Sequence, residues 1–159
     1  MKMYEEDIKR QMETITINNR IFELIKENVS NKRIAERYAK RYLKIKQNDW
    51  VLLPEVMDKT VLDIGSYLAI DNLKLKSLGA KKVISLDIDM EALKINKRCG
   101  VGEVVCADAL HLPFRDDAFE VVTSFSAIEH ISEGHEQWIS EMVRVTKGGG
   151  AHCGSYFKI

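Results

Sequence analysis

Hydrophobic and polar positions follow two rhythms along this chain, and the change falls near Lys59. Beyond it, short apolar runs alternate with amphipathic stretches of helical length. Val61 to Ile64 reads as a buried strand that turns at Gly65 and leads into a helix over Asp71 to Leu78, which stops at Gly79. Val83 to Asp87 is a second strand, and Asp89 is placed to cap a helix from Met90 to about Arg98. Glu103 to Ala107 is a third strand ending at Asp108, and Phe119 to Phe125 is a fourth. Ser132 is expected to cap a helix to about Arg144 that buries Trp138, Ile139, Met142 and Val143. Gly148 to Gly150 form a turn, and Ala151 to Tyr156 is a last strand. Strands joined by helical crossovers run parallel with right-handed connections. The pattern therefore predicts an α/β fold, an open sheet of order 3-2-1-4-5 with helices on both faces.

Residues 1–58 contain no glycine and only Pro54, so they read as a helical N-terminal extension, a substrate lid or packing segment ahead of an α/β domain over 59–159. Ile34, Tyr38, Tyr42 and Ile45 share one face of a helix beginning near Ser30 or Asn31. Between Asn31 and Trp50 seven basic residues stand against Glu36 and Asp49. That excess reads either as a basic surface facing an anionic substrate or nucleic acid, or as the solvated side of an amphipathic helix. No nucleic-acid motif supports the first.

Composition narrows the class without choosing a chemistry. The 159 residues suffice for one cored domain, with 45% hydrophobic and 30% charged positions, as in soluble proteins. Lys+Arg and Asp+Glu both number 24, so net charge singles out no polyanionic partner. No apolar run approaches a bilayer span, and Met1 to Asp7 lack the apolar core of a signal peptide, so a cytoplasmic protein is expected. Cys99, Cys106 and Cys153 are widely spaced and fit reduced thiols better than disulfides or a zinc site with His111; no metal is expected.

The candidate chemistry lies at the strand ends. Ligands of open α/β sheets bind outside the carboxyl ends of the strands, where strand order reverses. Asp63, Asp87 and Asp108 fall at or near those ends, and a buried sheet gains nothing from unpaired carboxylates. Asp87 follows Asp63 by 24 positions, close to the interval at which an acid after the second strand meets ribose hydroxyls. An adenosine-type ligand accounts for all three acids at once.

Several segments in order resemble class I S-adenosylmethionine-dependent methyltransferases: Val61-Leu62-Asp63-Ile64-Gly65, Val83 to Asp89, Ala107-Asp108-Ala109, Leu112-Pro113-Phe114, Phe119 to Val122, Ile128 to Ile131 and Glu141 to Gly149. The resemblance covers Lys59 to the C-terminus and implies a Rossmann-like domain with S-adenosylmethionine as cofactor. It implies that Asp63 and the Gly65 turn, with Ser66 and Tyr67, lie by the methionine end. Asp87, with Ile88 beside it, would hold the ribose hydroxyls. Asp108 would face the adenine amino group, and Ala109 would offer a backbone N–H. Ser124 to Ala127 would lie near the sulfonium. No Asn/Asp-Pro-Pro-aromatic signature of amide- or nucleobase-nitrogen methylation is present, which tilts the acceptor toward a small molecule. His130 is the candidate base for an acceptor that loses a proton, histidine being the side-chain type that ordinarily titrates near neutrality.

Two departures from the family pattern qualify that picture. Where the family loop carries Gly-x-Gly-x-Gly, this chain has Gly65-Ser66-Tyr67-Leu68-Ala69. Tyr67 could close over the methionine moiety, fill the pocket, or turn outward to line the acceptor site. The usual final antiparallel strand pair is also lacking by Ile159, which predicts a homodimer, a partner or a folded-back N-terminal helix over the edge of strand five. The N-terminal segment would then complete the substrate wall, with Tyr38, Tyr42 and Trp50 as lining residues. The alternatives are a non-catalytic relative serving as a binding or scaffold protein, a nucleic-acid methyltransferase, and a nicotinamide-dependent oxidoreductase. The last requires Gly-x-Gly-x-x-Gly, which Tyr67 and Ile70 interrupt.

Overall fold

The computed structural model describes residues 55–154 except 68, 69, 99, 101, 126, 150 and 151. The helices expected before residue 55, with Tyr38, Tyr42 and Trp50, lie outside the described residues. Within them the elements are β1 (Thr60–Ile64), α1 (Ile70–Ser77), β2 (Lys82–Asp87), α2 (Met90–Arg98), β3 (Glu103–Cys106), β4 (Val121–Phe125), α3 (His135–Val145) and β5 (His152–Gly154). Every described strand pair is parallel: β1 lies between β2 and β4, β3 lies outside β2, and the short β5 pairs with β4. The order is the expected 3-2-1-4, with β5 adding its three residues beyond β4.

Register explains why the strands read as unbroken apolar runs. Val61, Val83 and Val121 are in register on β1, β2 and β4, and they pack with Leu75 of α1 and with Val56 on one face. Leu62, Ile84 and Val122 form the next row, which faces the opposite way. There they join Trp138, Met142 and Val145 of α3. A parallel sheet covered on both faces needs apolar side chains at successive positions. Val56 belongs to the segment read as helical extension, yet it is buried with the sheet.

Three details differ from the sequence expectations. β4 begins at Val121, because Phe119 bridges to Thr146 and exchanges backbone hydrogen bonds with Val145 and Lys147 instead of with β1. α3 begins at His135 after a left-handed Gly134 (φ 89°), with no side-chain cap from Ser132. Along α3, Trp138, Met142 and Val145 are buried, whereas Ile139 and Val143 are 49% and 41% exposed. The latter pair lies on the neighbouring helical stripe, about 100° round the axis, and no described element covers it.

One ion pair ties the long loop after β3 to α3. Arg144 Nε and Nη2 donate to the two Glu141 carboxylate oxygens at 2.6 and 2.8 Å. Arg144 Nη1 donates to the Phe114 carbonyl and Asp116, and Nη2 also to the Leu112 carbonyl. Glu141 in turn accepts the Leu112 N–H at 2.7 Å. Arg144 holds the Glu141 carboxyl below its ordinary value, and the Leu112 N–H adds to this effect. A depressed carboxyl stabilises the fold above its unfolded value and loses that contribution as pH falls through the folded one. Glu141→Gln is expected to lower stability by about 2 kcal/mol at neutral pH. In denaturant titrations across pH, the gap from wild type should hold above the ordinary glutamate value of 4.5 and narrow below it.

Candidate functional site

The carboxyl ends of four strands converge on one cavity of about 400 Å³, a size typical of small-molecule sites, which run from roughly 300 to 1,000 Å³. β1 contributes Ile64, Gly65 and Tyr67; β2 contributes Leu86, Asp87 and Ile88; the turn after β3 contributes Ala107, Asp108 and Ala109. Ala127, His130 and Ile131 follow β4, and Trp138 comes from α3. The walls are mainly apolar, with carboxylates at two of the four strand ends.

The floor is built by the turn at Gly65. Its φ is +75°, and a Cβ there would lie 2.2 Å from the Ala127 methyl, so only glycine fits. Gly65 and Ser66 both donate their N–H groups to the Leu86 carbonyl, at 2.8 and 3.1 Å. The Tyr67 N–H donates to Asp87 Oδ2 at 2.9 Å, and the Asp89 N–H to Asp87 Oδ1 at 2.9 Å. Each carboxylate oxygen of Asp87 thus has one donor from the protein and a second lone pair left for a ligand. Tyr67 holds this position at φ +35°, a region costing of order 1–3 kcal/mol for a residue with a side chain. Asp89 also caps α2, accepting the N–H groups of Glu91 and Ala92.

The donor pattern has a chemical consequence. A pyrophosphate cradle needs free N–H groups in the loop after the first strand. Here the N–H groups of Gly65, Ser66 and Tyr67 are all spent within the protein. Those three donors are therefore not available to a ligand, while Asp87 keeps one acceptor site on each oxygen at the cavity.

Seven expected residues line the cavity together: Gly65, Tyr67, Asp87, Ile88, Asp108, Ala109 and His130. Asp108 Oδ1 accepts the Leu110 N–H, and His111 Nδ1 lies 3.7 Å from Oδ2. His130 is exposed at the cavity, in a short 3-10 turn over Ile128–His130. Asp63, Ser66 and Ser124 do not line it and are buried. Asp63 accepts Asn72 Nδ2 at 3.0 Å and Thr123 Oγ1 at 2.9 Å, joining α1 and β4 to β1. Ser66 Oγ accepts Asn96 Nδ2 at 2.9 Å inside the protein. Ser124 Oγ has no partner among the described residues.

Ala127, at the end of the Ser124 to Ala127 segment expected near the sulfonium, lines the cavity. Sequence reasoning missed Ile131 as a wall, and it placed Trp138 only in the core. Trp138 is both, since it is buried and also closes the back of the cavity. No local signal distinguishes a core tryptophan from one beside a ligand. Asn96 was also missed, although a polar residue on the Ala92 and Leu93 stripe of α2 was a usable sign. Among the described residues no cluster of His, Cys, Asp and Glu is arranged to hold a metal ion. No described helix is long and apolar enough to cross a membrane.

Comparison with known proteins places this geometry. A family model described as a methyltransferase domain matches residues 62–153, more than half of the chain, and the chain belongs to that family. A demethylmenaquinone methyltransferase of Renibacterium salmoninarum is 36% identical over 69 residues, covering 43% of this chain and 29% of the relative. The mitochondrial 2-methoxy-6-polyprenyl-1,4-benzoquinol methylase of Pongo abelii is 37% identical over 82 residues, covering 46% of this chain and 24% of the relative. The chain thus matches less than a third of the length of either. A Listeria monocytogenes structure described as an S-adenosylmethionine-dependent methyltransferase superposes with a TM-score of 0.56 at 25% identity, covering 69% of this chain and 51% of that one.

Gly65→Ala should lower stability by about 3 kcal/mol, combining overpacking against Ala127 with the φ penalty. Adding Ala127→Gly relieves the overlap alone, so denaturant melts of the double variant should recover more than half of the loss.

Proposed function

We propose that this member of the methyltransferase-domain family binds S-adenosylmethionine in the strand-end cavity and methylates a small-molecule acceptor. The observation that carries the reading is Asp87. Its carboxylate ends β2 at the cavity, is aimed by two backbone N–H groups, and keeps one acceptor site on each oxygen. Two vicinal hydroxyls match that arrangement, and a ribose presents them. The apolar surfaces of Leu86, Ile88, Ala107 and Ala109 suit the flat face of a purine, with Asp108 within reach of its exocyclic amine.

S-adenosylmethionine supplies a methyl group made electrophilic by its sulfonium. The chain's own contribution is alignment and exclusion of water, through the apolar walls of Ile64, Ile131 and Trp138. His130 stands at the cavity with its imidazole exposed, in position to take a proton from an acceptor hydroxyl or acidic carbon. The names of the relatives support a quinone- or quinol-type acceptor. Residues 1–58 are proposed to complete the acceptor wall, with a second copy of the chain covering β5.

A second reading, a non-catalytic binding protein, draws support from Tyr67, which lines the cavity with its backbone at a positive φ. Calorimetric titration separates the two at the binding step. Wild-type protein should release heat with S-adenosylmethionine, and Asp87→Ala should weaken binding about 100-fold, because two charged acceptors are lost. Absence of both heat and thermal shift at millimolar ligand would overturn the enzyme reading.

A further inference from the structure

We infer that Asn96, buried on α2 behind the cavity lining, is a positioning residue that holds the Tyr67 turn, and through it Asp87, in the geometry the site uses. For its effect on ligand affinity, the inference rests on the S-adenosylmethionine reading above.

The hydrogen bonds form a closed circuit. Asn96 Nδ2 donates to Ser66 Oγ at 2.9 Å, with neither residue exposed. Ser66 leads directly to Tyr67, whose N–H donates to Asp87 Oδ2. Asp87 Oδ1 accepts the N–H of Asp89, and Asp89 caps the helix that carries Asn96. The circuit returns through α2 to its starting point. Its bonds fix the Gly65–Tyr67 turn, the Asp87 carboxylate and the start of α2.

Stability alone does not account for an asparagine at this position. Asn96 Oδ1 is buried and without a partner among the described residues, a cost that an apolar side chain on the Ala92 and Leu93 stripe would avoid. The tether gives a defined position to a turn with an intrinsic tendency to relax. Tyr67 sits at φ +35°, and such a conformation persists only where its surroundings over-determine it. Two bonds contribute to that here, one on the Ser66 side chain and one on the Tyr67 N–H. Removing the first takes away the side-chain hold on Ser66 and leaves only the Gly65 and Ser66 N–H bonds to the Leu86 carbonyl to hold the turn ahead of Tyr67.

The test is a cycle of Asn96→Ala and Tyr67→Gly, read first without ligand. Amide hydrogen exchange at residue 67 reports its bond to Asp87 directly. Asn96→Ala should accelerate that exchange about tenfold, while amides within β1 keep their protection. In the Tyr67→Gly background, where the strain is absent, the same change should alter it less than twofold. Ser66→Ala removes the acceptor from the other side and should reproduce the effect, which covers the case of an Asn96→Ala protein that does not fold. Unchanged exchange at residue 67 in a folded Asn96→Ala or Ser66→Ala variant would overturn the inference. Equal acceleration in the wild-type and Tyr67→Gly backgrounds would also overturn it, since Asn96 would then be acting only as core. Titration with S-adenosylmethionine should show an affinity loss of about tenfold for Asn96→Ala that Tyr67→Gly largely removes. Wild-type protein that shows the exchange pattern but binds no S-adenosylmethionine would support the tether and sink the cofactor reading instead.

Discussion

Where the chain leaves β1 at Gly65, it passes the segment after β4 so closely that one added carbon would overlap the Ala127 methyl at 2.2 Å. That approach is possible only for a residue without a side chain and with access to positive φ. It lets the N–H groups of Gly65 and Ser66 close on the Leu86 carbonyl, drawing together the ends of β1 and β2. Ala127 brings the end of β4 to the same point. The cavity is the space these strand ends leave once they are fixed, and its walls are the residues that follow each strand.

Buried polar groups hold the loops around that space. Asp63 would be costly inside the sheet if unpaired, but Asn72 and Thr123 satisfy its oxygens and thereby couple α1 and β4 to β1. Glu141 and Arg144 perform the corresponding task outside the sheet, clasping the Leu112–Asp116 loop through its own carbonyl and amide groups. Phe114 then stacks edge-on against Phe119 at 4.8 Å. Both networks use charged side chains to position backbone. Neither touches the cavity directly.

The site therefore has two kinds of carboxylate with opposite duties. Asp63 turns inward and has side-chain partners from two elements, so it serves the scaffold. Asp87 lies at the last position of β2, where the strand no longer covers it, and it is held by backbone donors. For the proposed S-adenosylmethionine site the difference matters, because a ribose needs an acceptor that the protein has not already filled. Tyr67 complicates the turn beside it, and the buried Asn96–Ser66 bond offsets that complication from behind.

Much of this was legible in the residues themselves. Continuous apolar runs ending in acids, helices stopped at Gly79 and Gly100, and crossovers of helical length imply a parallel sheet of order 3-2-1-4, because each of these signals is local. The grouping of Gly65, Asp87, Asp108 and His130 followed from that order, since parallel strands deliver their carboxyl ends to one edge. What could not be read was direction. Ile139 and Val143 are as apolar as Trp138 and Met142, and only the placement of α3 on the sheet decides which stripe is covered. Asp63 and Asp87 both stand at strand ends in the sequence. Asp63 is in register with Ser85, two positions short of Asp87 on the same face of the sheet. Only that offset, with Asn72 and Thr123 brought from other elements, leaves the first in the interior and the second at the cavity.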